Sequence, residues 1–273
     1  MLIDDIDFAA LYRQQLTLAQ RTPKSPEHWD RRAQAMSVTC AAANDPYLQQ
    51  LTAAIDLRQA QTLLDVGCGP GSVCLALAPR LRQVYGLDYS PGMLAVAAQR
   101  AAQQGIDNAI LLRRAWEEPW DDIPRCDIAV ASRSTLVDDL RPALAKLNRH
   151  ARLGVYTTHP VSSSFVDGEI LRAIGRPVRE LPNYLYAVNI LYQMGIYAEV
   201  NFIRVPACQQ RAESAAQFAD ALSVALGEVS AEERQALEAY YRHCRLHGRT
   251  PAGALRDWAL ISWRPQPLAE ESA

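Results

Sequence analysis

The chain has 273 residues, of which 49% are hydrophobic and 21% are charged, and its formal net charge is −2. These ordinary globular values exclude a wholly disordered, collagen-like or low-complexity chain. The near-neutral charge also disfavours a strongly basic groove for nucleic acid, although a local basic patch stays compatible with it.

The first residues, MLIDDIDFAALYRQQ, are acidic and amphipathic and lack the basic start and apolar run of a secretory signal. No stretch approaches the roughly 18–20 apolar residues of a membrane span. The cysteines form no C-x-x-C pair, and their scatter is typical of reduced thiols. They are Cys40, Cys68, Cys74, Cys126, Cys208 and Cys244. We therefore expect a cytoplasmic protein without a membrane partner.

Residues 1–56 are predicted to form a cap of short helices. Ser25-Pro26 and Asp45-Pro46 each place a capping side chain before a proline at the first helical position. Two such helix starts so close together indicate short helices that pack on another part of the fold.

From Gln61 onward, predicted strands alternate with predicted helices. This alternation is typical of β-α-β units, which build a parallel sheet covered on both faces. The predicted strands are residues 62–66, 83–89, 109–114, 126–132, 152–158, 198–205 and 257–263.

After Thr158 the alternation loosens, and residues 160–182 and 209–248 are interpreted as helical insertions. Ser230 and Glu233 have the spacing of a capping box that starts a helix. No linker rich in Pro, Gly or Ser separates these parts. We expect a single domain over residues 1–273, divided into the cap (1–56), a cofactor-binding core (61–158) and a substrate-side half (159–273).

The motif LLDVGCGPG, residues 63–71, places Gly67, Gly69 and Gly71 where a strand turns into a helix. Glycines there let the backbone approach a ligand closely, and the helix start offers free N–H groups. Two ligand classes use such a turn at the carboxyl end of a sheet. A dinucleotide favours G-x-G-x-x-G over this G-x-G-x-G spacing. Asp65 beside the turn suits an amino group better than a pyrophosphate.

Asp88 ends the second predicted strand, within GLDYSPGML. A carboxylate there is able to accept hydrogen bonds from both hydroxyls of a ribose. Met93, in the helix that follows, is placed to pack on a purine. The alternative interpretation is that Asp88 only caps this helix.

The combination of D-V-G-C-G-P-G with G-L-D-Y-S-P-G-M-L resembles the class I methyltransferases that use S-adenosylmethionine, in the branch similar to small-molecule methyltransferases. The resemblance covers residues 61–158 well and residues 184–263 more weakly. It implies an α/β Rossmann-like fold with a seven-stranded sheet in the order 3-2-1-4-5-7-6 and an antiparallel last strand.

The same resemblance implies a role for each matching position. Gly67, Cys68 and Gly69 would lie under the methionine part of the cofactor, and Asp65 would hold its amino group. Asp88 would bind the ribose. The other cofactor positions that the resemblance implies are Gly71, Tyr89, Met93, Ala115, Trp116 and Ser132. Packing alone is the alternative for Trp116, and Cys68 is interpreted as a small packing residue.

The turn after the fourth strand reads Ser132-Arg133-Ser134-Thr135, without the N-P-P-Y or D-P-P-Y of enzymes that methylate adenine N6 or glutamine amides. This difference argues against those two kinds of enzyme, and the near-neutral net charge favours a small-molecule acceptor over a nucleic acid. Methyl transfer from a sulfonium needs orientation of the nucleophile and does not require a general base.

Several residues are candidates on the acceptor side. His159, expected just past the fifth strand, has a pKa suited to a general base, and a loop histidine is the alternative. Arg133 has the chemistry to bind a carboxylate or phosphate, or to form a structural salt bridge. Trp29 is a candidate to close the pocket, and Tyr186 lies in a tyrosine-rich helix that is otherwise typical of core.

No metal site is expected. His243 and His247 lie four apart on a predicted helix, but the sequence offers no third ligand nearby. Rival functions left open are a non-catalytic module that binds the cofactor and an RNA or protein methyltransferase. The glycine spacing disfavours a nicotinamide dehydrogenase. The sequence does not indicate the oligomeric state.

Overall fold

A central sheet carries the fold. The computed structural model describes residues 2–39, 45–204, 212–253 and 257–268. The strands are β1 (Thr62–Val66), β2 (Gln83–Asp88), β3 (Ala109–Arg113), β4 (Cys126–Ala131), β5 (Ala151–Pro160), β6 (Glu199–Ile203) and β7 (Trp258–Trp263).

The order of the seven-stranded sheet is β3-β2-β1-β4-β5-β7-β6. Strands β1 to β5 pair in parallel, and β7 runs antiparallel to both β5 and β6. This confirms the predicted order and the antiparallel last strand. Every residue of β1 is buried, as expected for a central strand covered on both faces.

The helices cover the sheet and form the cap. They are α1 (Phe8–Leu18), α2 (Pro26–Asp30), α3 (Ala33–Thr39), α4 (Pro46–Ala54), α5 (Ser72–Leu77), α6 (Pro91–Gln103), α7 (Leu140–His150), α8 (Gly168–Ala173), α9 (Tyr184–Gln193), α10 (Ala215–Leu226) and α11 (Ala231–Leu246).

The predicted helix starts are reproduced at atomic detail. Asp45 accepts a hydrogen bond from the Tyr47 amide, and Ser230 forms the expected capping box with Glu233. Helix α6 is capped in the same way by Ser90, whose side chain accepts from the Met93 amide. Helix α2 begins after Ser25 as predicted, but the Ser25 hydroxyl makes no capping hydrogen bond.

Alternate side chains of β1 enter two different cores, because successive residues of a strand face opposite sides of the sheet. Leu64 and Val66 pack into a cluster with α1, α7 and α9, whereas Leu63 packs into a cluster with α4 and α5. A further cluster joins α8, α10 and α11 through residues such as Ile170 and Phe218. The insertions thus bury an apolar interior of their own.

Within the described ranges, no helix combines the length and apolar character needed to cross a membrane. The cysteines in those ranges, Cys68, Cys74, Cys126 and Cys244, are buried free thiols. Cys40 and Cys208 lie outside the described residues.

Candidate active site

The turn between β1 and α5 is shaped by Gly67, whose φ is +69°. A Cβ on this residue would lie 2.3 Å from the Cβ of Ser134, so the turn touches the segment after β4. The amides of Gly67 and Cys68 both donate to the Leu87 carbonyl, at 2.8 and 2.9 Å. The turn is therefore tied to β2 and leaves a surface that only a glycine backbone provides.

Asp88 joins this turn to the start of α6. Its carboxylate accepts hydrogen bonds from the Gly69 amide at 2.8 Å and from the Ser90 amide at 2.9 Å. The side chain is 7% exposed, and burial raises its pKa above the ordinary value. Each carboxylate oxygen keeps acceptor capacity for a further donor, such as a hydroxyl. Asp88 is thus able to hold the start of α6 and to bind a ribose hydroxyl at the same time.

Asp65 is 1% exposed and accepts a hydrogen bond from the Cys74 amide at 3.0 Å. No cationic side chain among the described residues pairs with it, and burial raises the pKa of Asp65 to about 7. A buried carboxylate without a counter-charge is costly and is stabilised by an incoming cation. The position therefore fits the ammonium group of an amino-acid ligand.

Cys68 lies beside this carboxylate, and its thiol is unreactive because it stays protonated. Its contact with the Cys74 thiol and its burial hold the pKa of Cys68 well above the ordinary value. Because the thiolate is the reactive form, this environment supports the packing interpretation.

The cap reaches the site through Asp30, at the end of α2. The Asp30 carboxylate accepts hydrogen bonds from the Ser90 hydroxyl at 2.5 Å and from the Gly92 amide at 2.7 Å. These donors hold the pKa of Asp30 below its ordinary value. Neighbouring Trp29 packs against a small cluster that contains Met93, so it lies at the start of α6, and its role in closing the pocket stays a prediction.

The segments after β2 and β3 carry the other expected cofactor residues. The Tyr89 hydroxyl donates to the Lys24 carbonyl at 2.7 Å. The Ala115 amide donates to the Glu118 carboxylate at 2.5 Å. Trp116 is half-buried, with its ring centroid 5.4 Å from that of Trp120. Trp116 thus has a packing partner in addition to its place at this edge of the sheet.

The turn after β4 is held by the cap and by β5. The Tyr47 hydroxyl hydrogen-bonds to the hydroxyls of Ser132 at 2.8 Å and Thr158 at 2.7 Å. The Arg133 amide donates to the Thr158 hydroxyl at 2.9 Å, and the Arg133 guanidinium lies 4.2 Å from the centre of the Tyr47 ring. Burial raises the pKa of Tyr47, and the Arg133 charge opposes that rise.

His159 does not occupy the expected position. Strand β5 continues to Pro160, so His159 is a strand residue, 3% exposed. Its ring nitrogens hydrogen-bond to the hydroxyls of Thr135 at 3.1 Å and Thr157 at 3.0 Å. Burial lowers the pKa of His159 to about 3, so the ring is neutral. These contacts give His159 a structural role, and its role as a general base stays a prediction.

Tyr186 also lies in a packing environment. Its ring meets that of Tyr12 edge-on at 5.9 Å, and its hydroxyl donates to the Gln15 side chain at 3.2 Å. Both partners belong to α1, so Tyr186 joins α9 to the cap. These packing contacts account for the position of Tyr186 without the expected substrate role.

Tyr47 and Thr158 are site-edge residues to which no sequence motif points. The residues that Tyr47 contacts lie 85 and 111 positions away, and no local pattern links them. In the described part of the chain, no three His, Cys, Asp or Glu side chains are grouped as a metal site.

The geometry agrees with comparisons to known proteins. Residues 63–154 match a family model described as a methyltransferase domain. An uncharacterized protein of Haemophilus influenzae is 37% identical over 263 residues, covering 96% of this chain and 98% of that protein. A probable cobalt-precorrin-6B C(15)-methyltransferase of Methanothermobacter thermautotrophicus is 35% identical over 115 residues, covering 41% of this chain and 59% of that enzyme.

Among solved structures, the S-adenosylmethionine-dependent methyltransferase of Geobacter sulfurreducens in complex with S-adenosyl-L-homocysteine superposes with a TM-score of 0.54. It is 18% identical, and the superposition covers 86% of this chain and 98% of that one. The strand order, the glycine turn and the sequence matches lead to one conclusion. The chain belongs to the class I S-adenosylmethionine-dependent methyltransferases, and S-adenosylmethionine is its cofactor.

Proposed function

We propose that this methyltransferase acts on a small-molecule acceptor, which it holds beside the turn after β4. The observation that carries the proposal is the contact of Tyr47 with Ser132 and Thr158. Through it, helix α4 of the cap closes over the turn that belongs at the methyl end of the cofactor. A covered turn suits a small acceptor better than an extended macromolecular surface.

The site residues divide the cofactor between them. Gly67 and Gly69 make room for the methionine part, and Asp65 pairs with its ammonium group. Asp88 accepts the ribose hydroxyls through lone pairs that its two amide donors leave free. The adenine lies along the segments of Tyr89, Met93, Ala115 and Trp116, with Cys68 and Gly71 packing the turn and Ser132 at the methyl end.

Bound S-adenosylmethionine supplies an electrophilic methyl group on a sulfonium leaving group. What the chain contributes is therefore position: it aligns a nucleophile with the methyl group and keeps water out. The Tyr47 hydroxyl fixes the Ser132 side chain, and Thr158 fixes both Tyr47 and the Arg133 amide. None of these groups needs to change its protonation state.

The buried free thiols support a cytoplasmic setting for this chemistry.

Labelled S-adenosylmethionine and a bacterial extract test the proposal. The extract is divided into its small solutes and its RNA and protein before the protein is added. We expect label in the small solutes, and no transfer with Asp88→Asn. The control is Asp107→Asn, which removes an exposed carboxylate from the loop between α6 and β3. Transfer to RNA or protein alone would overturn the proposal.

A further inference from the structure

Arg133 has an unusual backbone for its residue type. Its φ is +57°, a region that residues with a Cβ enter uncommonly. The hydrogen bond from its amide to the Thr158 hydroxyl, at 2.9 Å, holds the chain in this conformation. Strained backbone of this kind concentrates at functional sites, and here it lies directly after β4.

The guanidinium of Arg133 is exposed and stacked without being neutralised. It lies 4.2 Å from the centre of the Tyr47 ring. No carboxylate among the described residues forms an ion pair with it, whereas Arg13, Arg21 and Arg114 each pair with an aspartate. Asp45, the acid nearest in sequence to Tyr47, accepts from the Tyr47 amide at the start of its own helix.

A guanidinium that stacks on an aromatic face keeps the N–H groups along its edge available. Those donors have the planar fork geometry that matches a carboxylate or phosphate. Arg133 is thus prepared for an anion that none of the described residues supplies.

Aromatic rings continue away from Arg133 along the same edge of the sheet. The Tyr47 and Trp258 rings lie 6.0 Å apart, and the Trp258 and Phe165 rings lie 6.1 Å apart. Trp258 starts β7, and because β7 is antiparallel it pairs with Pro160 at the end of β5. Phe165 is 38% exposed at the end of this row. The row forms an apolar wall whose outer ring is open to a planar group.

We propose that the acceptor is a small anion with a planar apolar part. Arg133, held on the buried Tyr47 ring, binds its carboxylate or phosphate, and Trp258 and Phe165 pack against the rest. This inference rests on the proposed function, because it specifies the acceptor of the same site. It makes Arg133 the residue that selects for charge and Phe165 the residue that selects for the planar group.

Binding probes test the two parts separately. The full-length protein, saturated with S-adenosylhomocysteine, is titrated with benzoate, phenyl phosphate and the neutral benzamide. Arg133→Gln is expected to weaken the binding of benzoate or phenyl phosphate about tenfold and to leave benzamide within about twofold, since a charged hydrogen-bonded pair is lost. The affinity of Arg133→Lys for these anions should lie between the affinities of the natural chain and of Arg133→Gln. The anion whose affinity falls more in Arg133→Gln carries the preferred group.

Phe165→Ala should weaken all three aromatic probes and leave inorganic phosphate unaffected. The matched control is Arg82→Gln, which removes an exposed arginine that precedes β2, at the opposite edge of the sheet. Unchanged titration with S-adenosylhomocysteine verifies that each variant is folded. Anion binding that is insensitive to Arg133→Gln, or tighter binding of benzamide than of both anions, would overturn the inference.

The labelling assay separates this inference from the proposed function. The small solutes are passed over an anion exchanger before the reaction. We expect the acceptor in the retained fraction, with less transfer by Arg133→Gln than by Arg82→Gln. An acceptor that flows through would contradict the anionic inference alone, whereas label only in RNA or protein would contradict the proposed function.

Discussion

Gly67 is the residue whose substitution should disturb cofactor binding most directly. In Gly67→Ala the new Cβ would lie 2.3 Å from the Cβ of Ser134, at a φ of +69°. Overpacking of this kind costs about 1–3 kcal/mol, so we expect the affinity for S-adenosylhomocysteine to fall roughly ten- to hundredfold. Isothermal titration measures this loss.

Gly105→Ala is the matched control, because Gly105 also has a positive φ, +65°, but nothing lies within 4 Å of the place that its Cβ would take. It should show a similar backbone strain in thermal unfolding and an unchanged affinity for S-adenosylhomocysteine. Equal affinities of both variants and the natural chain would show that the contact between Gly67 and Ser134 is not needed.

The role of a single residue is predictable from the sequence when its contacts are with residues close to it in the chain. Asp65, Gly67 and Asp88 lie in short local patterns, a strand followed by a tight turn, and their placement at one sheet edge follows from those patterns. Tyr47 acts through hydroxyls far away in the sequence, so its role depends on how the cap docks. Their binding roles stay predictions until the variants are measured.

At the scale of elements, the strand order followed from the family resemblance, single strands followed from local patterns, and the end of β5 was not predictable. Residues 62–66 form β1 as expected, because an apolar run that ends at a glycine turn is a local signal. The pair His159-Pro160 was expected in a loop, yet it pairs with Ala259 and Trp258 of β7. That partner lies about 100 residues away, so local sequence contains no sign of the extension. The misplacement of His159 follows from it.

The docking of α2 on α6 gives a prediction at this scale. Asp30→Ala removes the acceptor of the Ser90 hydroxyl and the Gly92 amide. Without it we expect α2 to open, which exposes the bonds after Arg31 and Arg32 to trypsin faster than in the natural chain. Mass spectrometry of a timed digest measures the cleavage, and S-adenosylhomocysteine should slow it if the cap covers the cofactor.

Glu27→Ala is the matched control, since it removes an exposed carboxylate from the same helix without touching α6. Its cleavage should match that of the natural chain. If Asp30→Ala is cut no faster than Glu27→Ala, the cap is held by its apolar contacts, such as that of Trp29 with Met93.

At the scale of the molecule, the insertions are tied together by Arg176. Its guanidinium donates to Glu233 at the start of α11 and to the Leu226 carbonyl at the end of α10. The Arg176 contact lowers the pKa of Glu233 to about 2. Helices α10 and α11 fall within the predicted helical segment 209–248 and were predictable from capping and periodicity, while residues 209–211 lie outside the described residues. The shared interior of α8, α10 and α11 was not, because it joins segments on either side of β6. The single-domain division of the chain stays a prediction.

The stability of the whole molecule should respond to pH through two buried groups of opposite sign. Burial raises the pKa of Asp65 from 3.8 to about 7 and lowers the pKa of His159 from 6.5 to about 3. Between about pH 4 and 7 the folded chain binds a proton at Asp65 that the unfolded chain has lost, so this group makes stability fall as pH rises. Between about pH 3 and 6.5 the unfolded chain binds a proton at His159 that the folded chain lacks, so this group makes stability rise.

The two effects are each on the order of 4 kcal/mol and oppose each other over most of this range. Single variants separate them in urea unfolding at a series of pH values. Asp65→Asn should gain stability over the natural chain as pH rises towards 7, and His159→Gln should gain as pH falls below about 6. Asp107 is exposed, so the free energy of unfolding of Asp107→Asn should differ from that of the natural chain by the same amount at every pH.

The cofactor extends this measurement from stability to function. If Asp65 pairs with the ammonium group, saturating S-adenosylhomocysteine favours the ionised carboxylate and lowers its pKa. In the free protein, Asp65→Asn abolishes the fall in stability that Asp65 causes as pH rises. In the natural chain, saturating S-adenosylhomocysteine should abolish the same fall. The part that belongs to His159 should persist, because its ring is buried and bonds to the hydroxyls of Thr135 and Thr157. An Asp65 contribution that survives saturation would show that the ammonium group binds elsewhere.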